Sequence, residues 1–147
     1  MQLDHATEFS IYLDQRPGEL AGLLDMFRTA GVGVAALCVT EHNGRGLVRI
    51  VGEPEADLRG IGESLAERGL GPVVEARVLT VNIDERPSIM RDLATALADH
   101  EINIRYAYLA PGTTGRPTRC IFRVDDPERA EKTLGEMDWP ADTPPSP

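Results

Sequence analysis

The stretch DQRPGELAGLLDMF, residues 14–27, decides the fold because the chain nearly repeats it at residues 84–97 as DERPSIMRDLATAL. Aligned at a shift of 70 without a gap, the two copies share four identical residues. The pattern around them is stronger evidence. Each copy follows an alternating run, FSIYL or LTVNI, that is typical of a half-buried strand, and each then shows apolar residues at helical spacing. The sequence therefore contains one structural unit twice.

The segments after each helix extend the repeat. In the first copy, VGVAALCVT (32–40) and LVRIV (47–51) read as strands on either side of Asn43-Gly44, a strong hairpin signal. INIRYAYLA (102–110) and RCIFRV (119–124) follow the same order in the second copy. An acidic, proline-containing segment then opens a second helix in each copy. We expect GPVVEARV in the first copy to run directly into LTVNI, so that one long bent strand joins the halves.

This order predicts an α+β fold of two ferredoxin-like βαββαβ units in tandem, with antiparallel sheets and helices on one face. The expected domains are residues 7–78 and 79–138. The second domain has only a weak candidate for its last strand. Residues 139–147 are expected to form a disordered, proline-rich tail.

Composition narrows the function. The net charge is −9, which disfavours nucleic acid and anionic membranes because both require a basic surface. No stretch is long and apolar enough to span a membrane, and the N-terminus lacks the features of a signal peptide. Cys38 and Cys120 are isolated in sequence, which fits a reducing compartment. We therefore expect a cytoplasmic protein.

Several possible signals for catalysis or cofactors do not hold. GVGVAA (31–36) matches the dinucleotide fingerprint, but a helix precedes it and a strand follows, which is the reverse of what that motif requires. The histidines and cysteines share no metal-ligand spacing. Tyr106 and Tyr108 lie on one face of a strand, where a sheet-face or inter-subunit contact is favoured over ligand stacking. We expect no cofactor, no metal and no enzymatic activity.

The strand, the D-Q-R-P-G-E-L turn, the L-x-x-L-x-x-F helix ending in A-G-V and the next strand together resemble the ACT domain. NGRGLVRIVGEP and INIRYAYLAP are similar to stand-alone tandem ACT proteins of bacteria. The resemblance implies an amino-acid ligand, held where two ACT units meet by the strand-to-helix loop of one unit and an Asn of the other. The main-chain amides at the start of a helix are suited to bind its carboxylate.

Carried over to this chain, the resemblance implies two unequal sites. The first combines the loop of the first copy with an amide from the second; its residues are Gln15, Arg16, Pro17, Gly18, Glu19, Leu20 and Asn103. The second would be degenerate, because Glu85 replaces an amide and Gly33 stands where the first site has Asn103. Its residues are Glu85, Arg86, Pro87, Ser88 and Gly33.

The favoured function is a small sensor or regulatory protein that binds an amino acid between its two ACT units. It would be a homodimer and would signal through an enzyme or regulator of amino-acid metabolism. The alternative is an assembly module that uses its ACT units for oligomerisation and binds no ligand, since function does not follow from fold alone.

Overall fold

The computed structural model describes residues 3–69, 72–83, 88–112, 114–115 and 117–138. The elements follow one another in the predicted order, and they form two compact units. The first unit is Thr7–Arg77, and the second unit is Val78–Pro147 together with Met1–Ala6. In chain order the elements are β1 (Leu3–Leu13), α1 (Glu19–Thr29), β2 (Gly33–His42), β3 (Arg45–Glu53), α2 (Glu55–Glu67), β4 (Val74–Asn82), α3 (Ile89–Asp99), β5 (Ile104–Ala110), β6 (Arg119–Val124) and α4 (Pro127–Gly135).

The first unit has the strand order β2-β3-β1-β4. β1 runs antiparallel to β3, with Phe9 opposite Ile50 and Leu13 opposite Gly46. The hairpin predicted at Asn43-Gly44 is confirmed, because both residues have positive φ and connect the end of β2 to the start of β3. Because of this turn, the C-terminal end of β2 lies at the same end of the sheet as the C-terminal end of β1.

The core of the first unit forms where the predicted apolar face of β1 meets the stripe on α1. Phe9, Ile11, Leu23 and Phe27 are each at most 3% exposed. Alternation along the strand and helical spacing along α1 place these side chains on facing surfaces, which is why the two patterns were visible in the sequence. Further members of the cluster are Leu13, Val32, Val48, Ile50, Leu58, Ile61 and Leu65.

The second unit has the strand order β1-β4-β6-β5. Its β1 portion is the start of that strand, residues 3–6. In the described part of the chain beyond β6, α4 is followed by no strand up to residue 138. Residues 3–6 thus form the last strand of the second unit, for which the sequence offered only a weak candidate after the second helix. Leu3 packs against the core of the second unit, and His5 Nδ1 lies 3.1 Å from Glu131 Oε1 on α4.

The core of the second unit repeats the first, with β4 and α3 in the places of β1 and α1. Leu79 and Val81 on the strand, and Leu93 and Leu97 on the helix, are at most 1% exposed. The rest of the buried cluster is Ile89, Ala96, Ile102, Cys120, Phe122, Val124, Ala130 and Leu134. The predicted tandem α+β fold is therefore confirmed.

β4 is a single strand from Val74 to Asn82, and its residues fall in both units. The predicted long strand joining the halves is thus confirmed. The expected tail, residues 139–147, lies outside the described residues.

The first helix of each unit ends in the same pattern of main-chain hydrogen bonds. After α1, Val32 N donates to Phe27 O and Gly31 N donates to Arg28 O, at 2.9 and 3.1 Å. After α3, Ile102 N donates to Leu97 O and Glu101 N donates to Ala98 O, at 2.8 and 3.0 Å. Both are Schellman endings, which require positive φ at the residue that follows the C-cap. Gly31 has φ +74°, and Glu101 has φ +56°.

Candidate ligand-binding site

The loop from β1 to α1 is a tight, internally paired turn. Arg16 N donates to Asp14 O at 2.9 Å, and the Arg16 guanidinium lies 3.0 Å from Asp14 Oδ2 and 3.4 Å from Glu19 Oε1. Arg16 is 68% exposed, so this pairing holds the loop in shape and adds little to overall stability.

Gly18 is the N-cap of α1 and has φ +91°, a left-handed conformation that favours glycine. No side chain caps this helix. Glu19 N donates to Arg16 O at 3.4 Å, and the amides that follow it in the first turn keep their capacity to bind an acceptor from outside. A Cβ at Gly18 would have no heavy atom within 4 Å, so the approach to the helix start is open. Backbone conformation, rather than crowding, explains the glycine.

A groove of about 560 Å³ lies beside this loop, entirely within the first unit. On the sheet side, Val48 is fully buried and Leu13 nearly so, while Val39 on β2 remains 47% exposed. Thr40 and Glu41 of β2 add polar groups to this side. The loop and the start of α1 form the opposite side. The lining residues are Leu13, Asp14, Gln15, Arg16, Pro17, Glu19, Leu20, Val39, Thr40, Glu41, Gly46 and Val48.

Five of the residues predicted for the first site line this groove, and Gly18 lies between two of them. The contribution of β2 and β3 (Val39, Thr40, Glu41, Gly46 and Val48) was missed. A signal for it exists in the sequence. The Asn43-Gly44 turn fixes which ends of β2 and β3 meet, and an antiparallel β1–β3 pair then places that end next to Leu13.

The groove carries more negative than positive charge. Asp14, Glu19 and Glu41 line it, with Arg16 as the basic side chain among its lining residues. Arg16 is already paired with the first two carboxylates. Glu41 makes no ion pair with any residue in the described part of the chain. The groove therefore offers a carboxylate for a cationic group and main-chain amides for an anionic one.

Asn103, the remaining residue of the predicted first site, belongs to the second unit. It is exposed and lies directly before β5, and its main-chain oxygen accepts a hydrogen bond from Asp125 N at 3.2 Å. It lines a shallower groove of about 400 Å³ together with Ala94, Ala98, Glu101, Ile102 and Ile104. Its participation in the site next to Gln15 stays a prediction.

The predicted degenerate site is only partly within the described residues, because Glu85, Arg86 and Pro87 lie outside them. Ser88 is the N-cap of α3, and its Oγ lies 3.4 Å from Asp92 Oδ2. Gly33 is exposed at the start of β2, the opposite end of that strand from Glu41. The degenerate site therefore stays a prediction.

The remaining reactive side chains show no catalytic arrangement among the residues that the structure describes. No three His, Cys, Asp or Glu residues there could together hold a metal ion. Cys38 and Cys120 are free thiols, and burial raises the pKa of Cys120 to about 12. Tyr106 and Tyr108 share one face of β5, with ring centroids 6.4 Å apart. No helix within the described ranges is long and apolar enough to cross a bilayer.

Solved structures share this fold. The protein BT0572 from Bacteroides thetaiotaomicron is similar with a TM-score of 0.74 and 18% identity, over 91% of this chain and 89% of that one. The regulatory subunits of aspartate kinase from Thermus thermophilus and from Thermus flavus have TM-scores of 0.58 and 0.57. Each is 18% identical over 92% of this chain and 94% of the other.

No curated protein sequence matches the chain. The model of the family described as an ACT domain pair, in contrast, matches residues 5–139. That range includes both copies of the repeat and the groove beside Gly18. The chain therefore belongs to the ACT domain pair family.

Proposed function

We propose that this protein is a ligand-sensing regulatory protein that binds an α-amino acid in the groove beside the β1–α1 loop. The observation that carries the proposal is the groove itself, which joins uncapped amides at the start of α1 to a carboxylate at Glu41. An α-amino acid carries a carboxylate and an ammonium group, which match these two features. The volume of about 560 Å³ lies within the range of small-molecule sites.

The sequence-based hypothesis adds that the ligand lies between the two ACT units and contacts Asn103. It also adds that the protein is a homodimer and acts on an enzyme or regulator of amino-acid metabolism. These parts belong to the same proposal and are tested separately. The aspartate kinase subunits with the same fold are named as regulatory, which supports a regulatory role without naming a ligand for this chain.

The test is a thermal-shift screen of the purified protein against the twenty amino acids. A ligand at a hundredfold excess over its Kd stabilises the native state by roughly 2.7 kcal/mol, which is readily measured as a rise in Tm. A rise with one amino acid or a few related ones supports the sensor. If none raises the Tm while the protein dimerises with increasing concentration, the protein is an assembly module.

A matched pair of glycine variants locates the site. Gly18 and Gly31 flank the two ends of α1, both with positive φ and both with open space around them. Gly18→Val and Gly31→Val should lower the Tm through the same backbone strain, but only Gly18→Val should abolish the ligand-induced shift. Equal ligand responses in the two variants would contradict a site at the start of α1. Asn103→Ala tests the predicted contribution of the second unit.

A further inference from the structure

The residues that line the groove also indicate which kind of ligand side chain it would accept. We propose that it selects an amino acid with an uncharged, apolar side chain, which lies against Val39 of β2. This inference rests on the proposed function and adds the class of ligand.

The first observation is the uncovered position of Val39. Its cross-strand neighbour Val48 is fully buried in the core, whereas Val39 is 47% exposed although it lies on the same, helix-facing side of the sheet. The helices thus leave this apolar side chain open, and it lines the groove. An apolar ligand group placed there would remove apolar surface from water.

The second observation is the order of groups along β2. Glu41 lies two residues beyond Val39 and therefore on the same face of the strand, at a distance of about 7 Å along it. Opposite Glu41 is Gly46, which has no side chain to fill the space. An ammonium group at Glu41 and an apolar side chain at Val39 can therefore be contacted by one amino acid.

The third observation is the charge of the lining residues, which argues against charged side chains. Three carboxylates and one guanidinium line the groove, so a second carboxylate on the ligand would be repelled. A basic side chain would need a carboxylate in addition to the one that binds the α-ammonium group. Asp14 and Glu19 are already engaged by Arg16, at 3.0 and 3.4 Å.

The experiment compares the Kd values of six amino acids by calorimetry: L-valine, L-leucine, L-phenylalanine, L-asparagine, L-glutamate and L-lysine. The expected result is that one of the three apolar amino acids binds at least tenfold more tightly than the other three. Tighter binding of L-asparagine, L-glutamate or L-lysine would overturn the inference while supporting the amino-acid site. Absence of binding by all twenty amino acids would overturn the proposed function as well.

Two substitutions at equivalent positions locate the apolar contact. Val39→Thr keeps the size and branching of the side chain and should weaken binding of the preferred apolar amino acid about tenfold. Leu109→Thr changes the residue 70 positions later, which is 53% exposed on β5 of the second unit, and should leave the Kd unchanged. Both variants should keep the Tm of the parent because both sites are exposed. A Kd unaffected by Val39→Thr, or lowered affinity in Leu109→Thr alone, would place the side chain elsewhere.

Discussion

The first and second units end their first helix with the same hydrogen bonds but with different residues at the critical position. Gly31 takes the left-handed conformation after α1, and Glu101 takes it after α3. In both cases the next residue, Val32 or Ile102, is at least 93% buried. The comparison teaches that burial of this apolar residue and the paired main-chain bonds hold the ending in place. Glycine lowers the conformational free energy of the left-handed residue, but the ending also forms without it.

A second difference concerns how the last strand of each unit is attached to its second helix. In the first unit, Arg59 on α2 pairs with Glu75 on β4, at 2.7 Å. In the second unit the helix supplies the carboxylate, Glu131, and the strand supplies His5. The carboxylate thus lies on the strand in the first unit and on the helix in the second, where the strand residue comes from residues 3–6.

The largest expected effect comes from equivalent core substitutions that separate the units. Leu23→Ala and Leu93→Ala remove side chains that are 3% and 1% exposed, and each should lower the free energy of unfolding by about 2–5 kcal/mol. Hydrogen exchange should show lost protection mainly in the unit that carries the change. Residues 3–6 should lose protection in Leu93→Ala. Loss of their protection only in Leu23→Ala would contradict their assignment to the second unit.

Gly31→Ala should lower the free energy of unfolding by about 1–2 kcal/mol, measured by urea denaturation, because alanine resists the left-handed conformation. A Cβ at this position meets no heavy atom within 4 Å, so steric crowding does not contribute. Gly60→Ala, in the middle of α2 and with equally open surroundings, is the control and should not destabilise. Equal stability of Gly31→Ala and the parent would mean that the helix ending is rebuilt.

Glu101→Gly should have the opposite sign and raise the free energy of unfolding by about 0.5–1 kcal/mol. The gain is the relief of the left-handed strain, reduced by the greater backbone freedom of glycine in the unfolded chain. Glu101→Ala removes the carboxylate but keeps the strain, so it should give no such gain. Equal stabilisation by both variants would assign the effect to charge instead of conformation.

The smallest effect is expected from Glu75→Gln, and it should depend on pH. The hydrogen bond from Arg59 lowers the pKa of the Glu75 carboxyl, so this pair stabilises the folded state above the ordinary glutamate pKa and is lost as the pH falls through the lowered value. The parent should have a slightly higher Tm than the variant at neutral pH, and the difference should vanish in acid. A difference that persists in acid would point to packing rather than charge.

Much of this fold could be predicted because its signals are local. Alternating apolar residues defined the apolar face of β1, a short apolar run indicated β6, and Asn43-Gly44 defined the hairpin of the first unit. The start of β1 was missed: a strand was expected from Phe9, but it begins at Leu3. Residues 3–8 show no clean alternation of apolar and polar residues. The buried residue there is a glutamate, Glu8, and His5 contacts Glu131, a residue 126 positions away.

The site was predicted less completely than the fold. Residues of the β1–α1 loop could be named because the loop is contiguous and carries the repeated motif. Val39 and Glu41 were not named, because they reach the groove through the pairing of β2, β3 and β1. The Asn43-Gly44 turn indicates the β2–β3 part of that pairing, but the antiparallel pairing of β3 with β1 is also needed to place them beside the loop. Val39 lines the groove because the helices leave its side chain uncovered, and that is a property of packing rather than of sequence spacing.

The origin of residues 3–6 has a consequence for how the chain folds during synthesis. Residues 3–6 are synthesised before the whole of the first unit, whereas the other strands of their own unit start at residue 78, so that unit cannot be completed until those strands are available. Contacts between such distant segments slow folding. The first unit, Thr7–Arg77, is already contiguous. A rearranged chain in which residues 1–6 follow residue 147 would make the second unit contiguous as well, and should let it form from one uninterrupted segment.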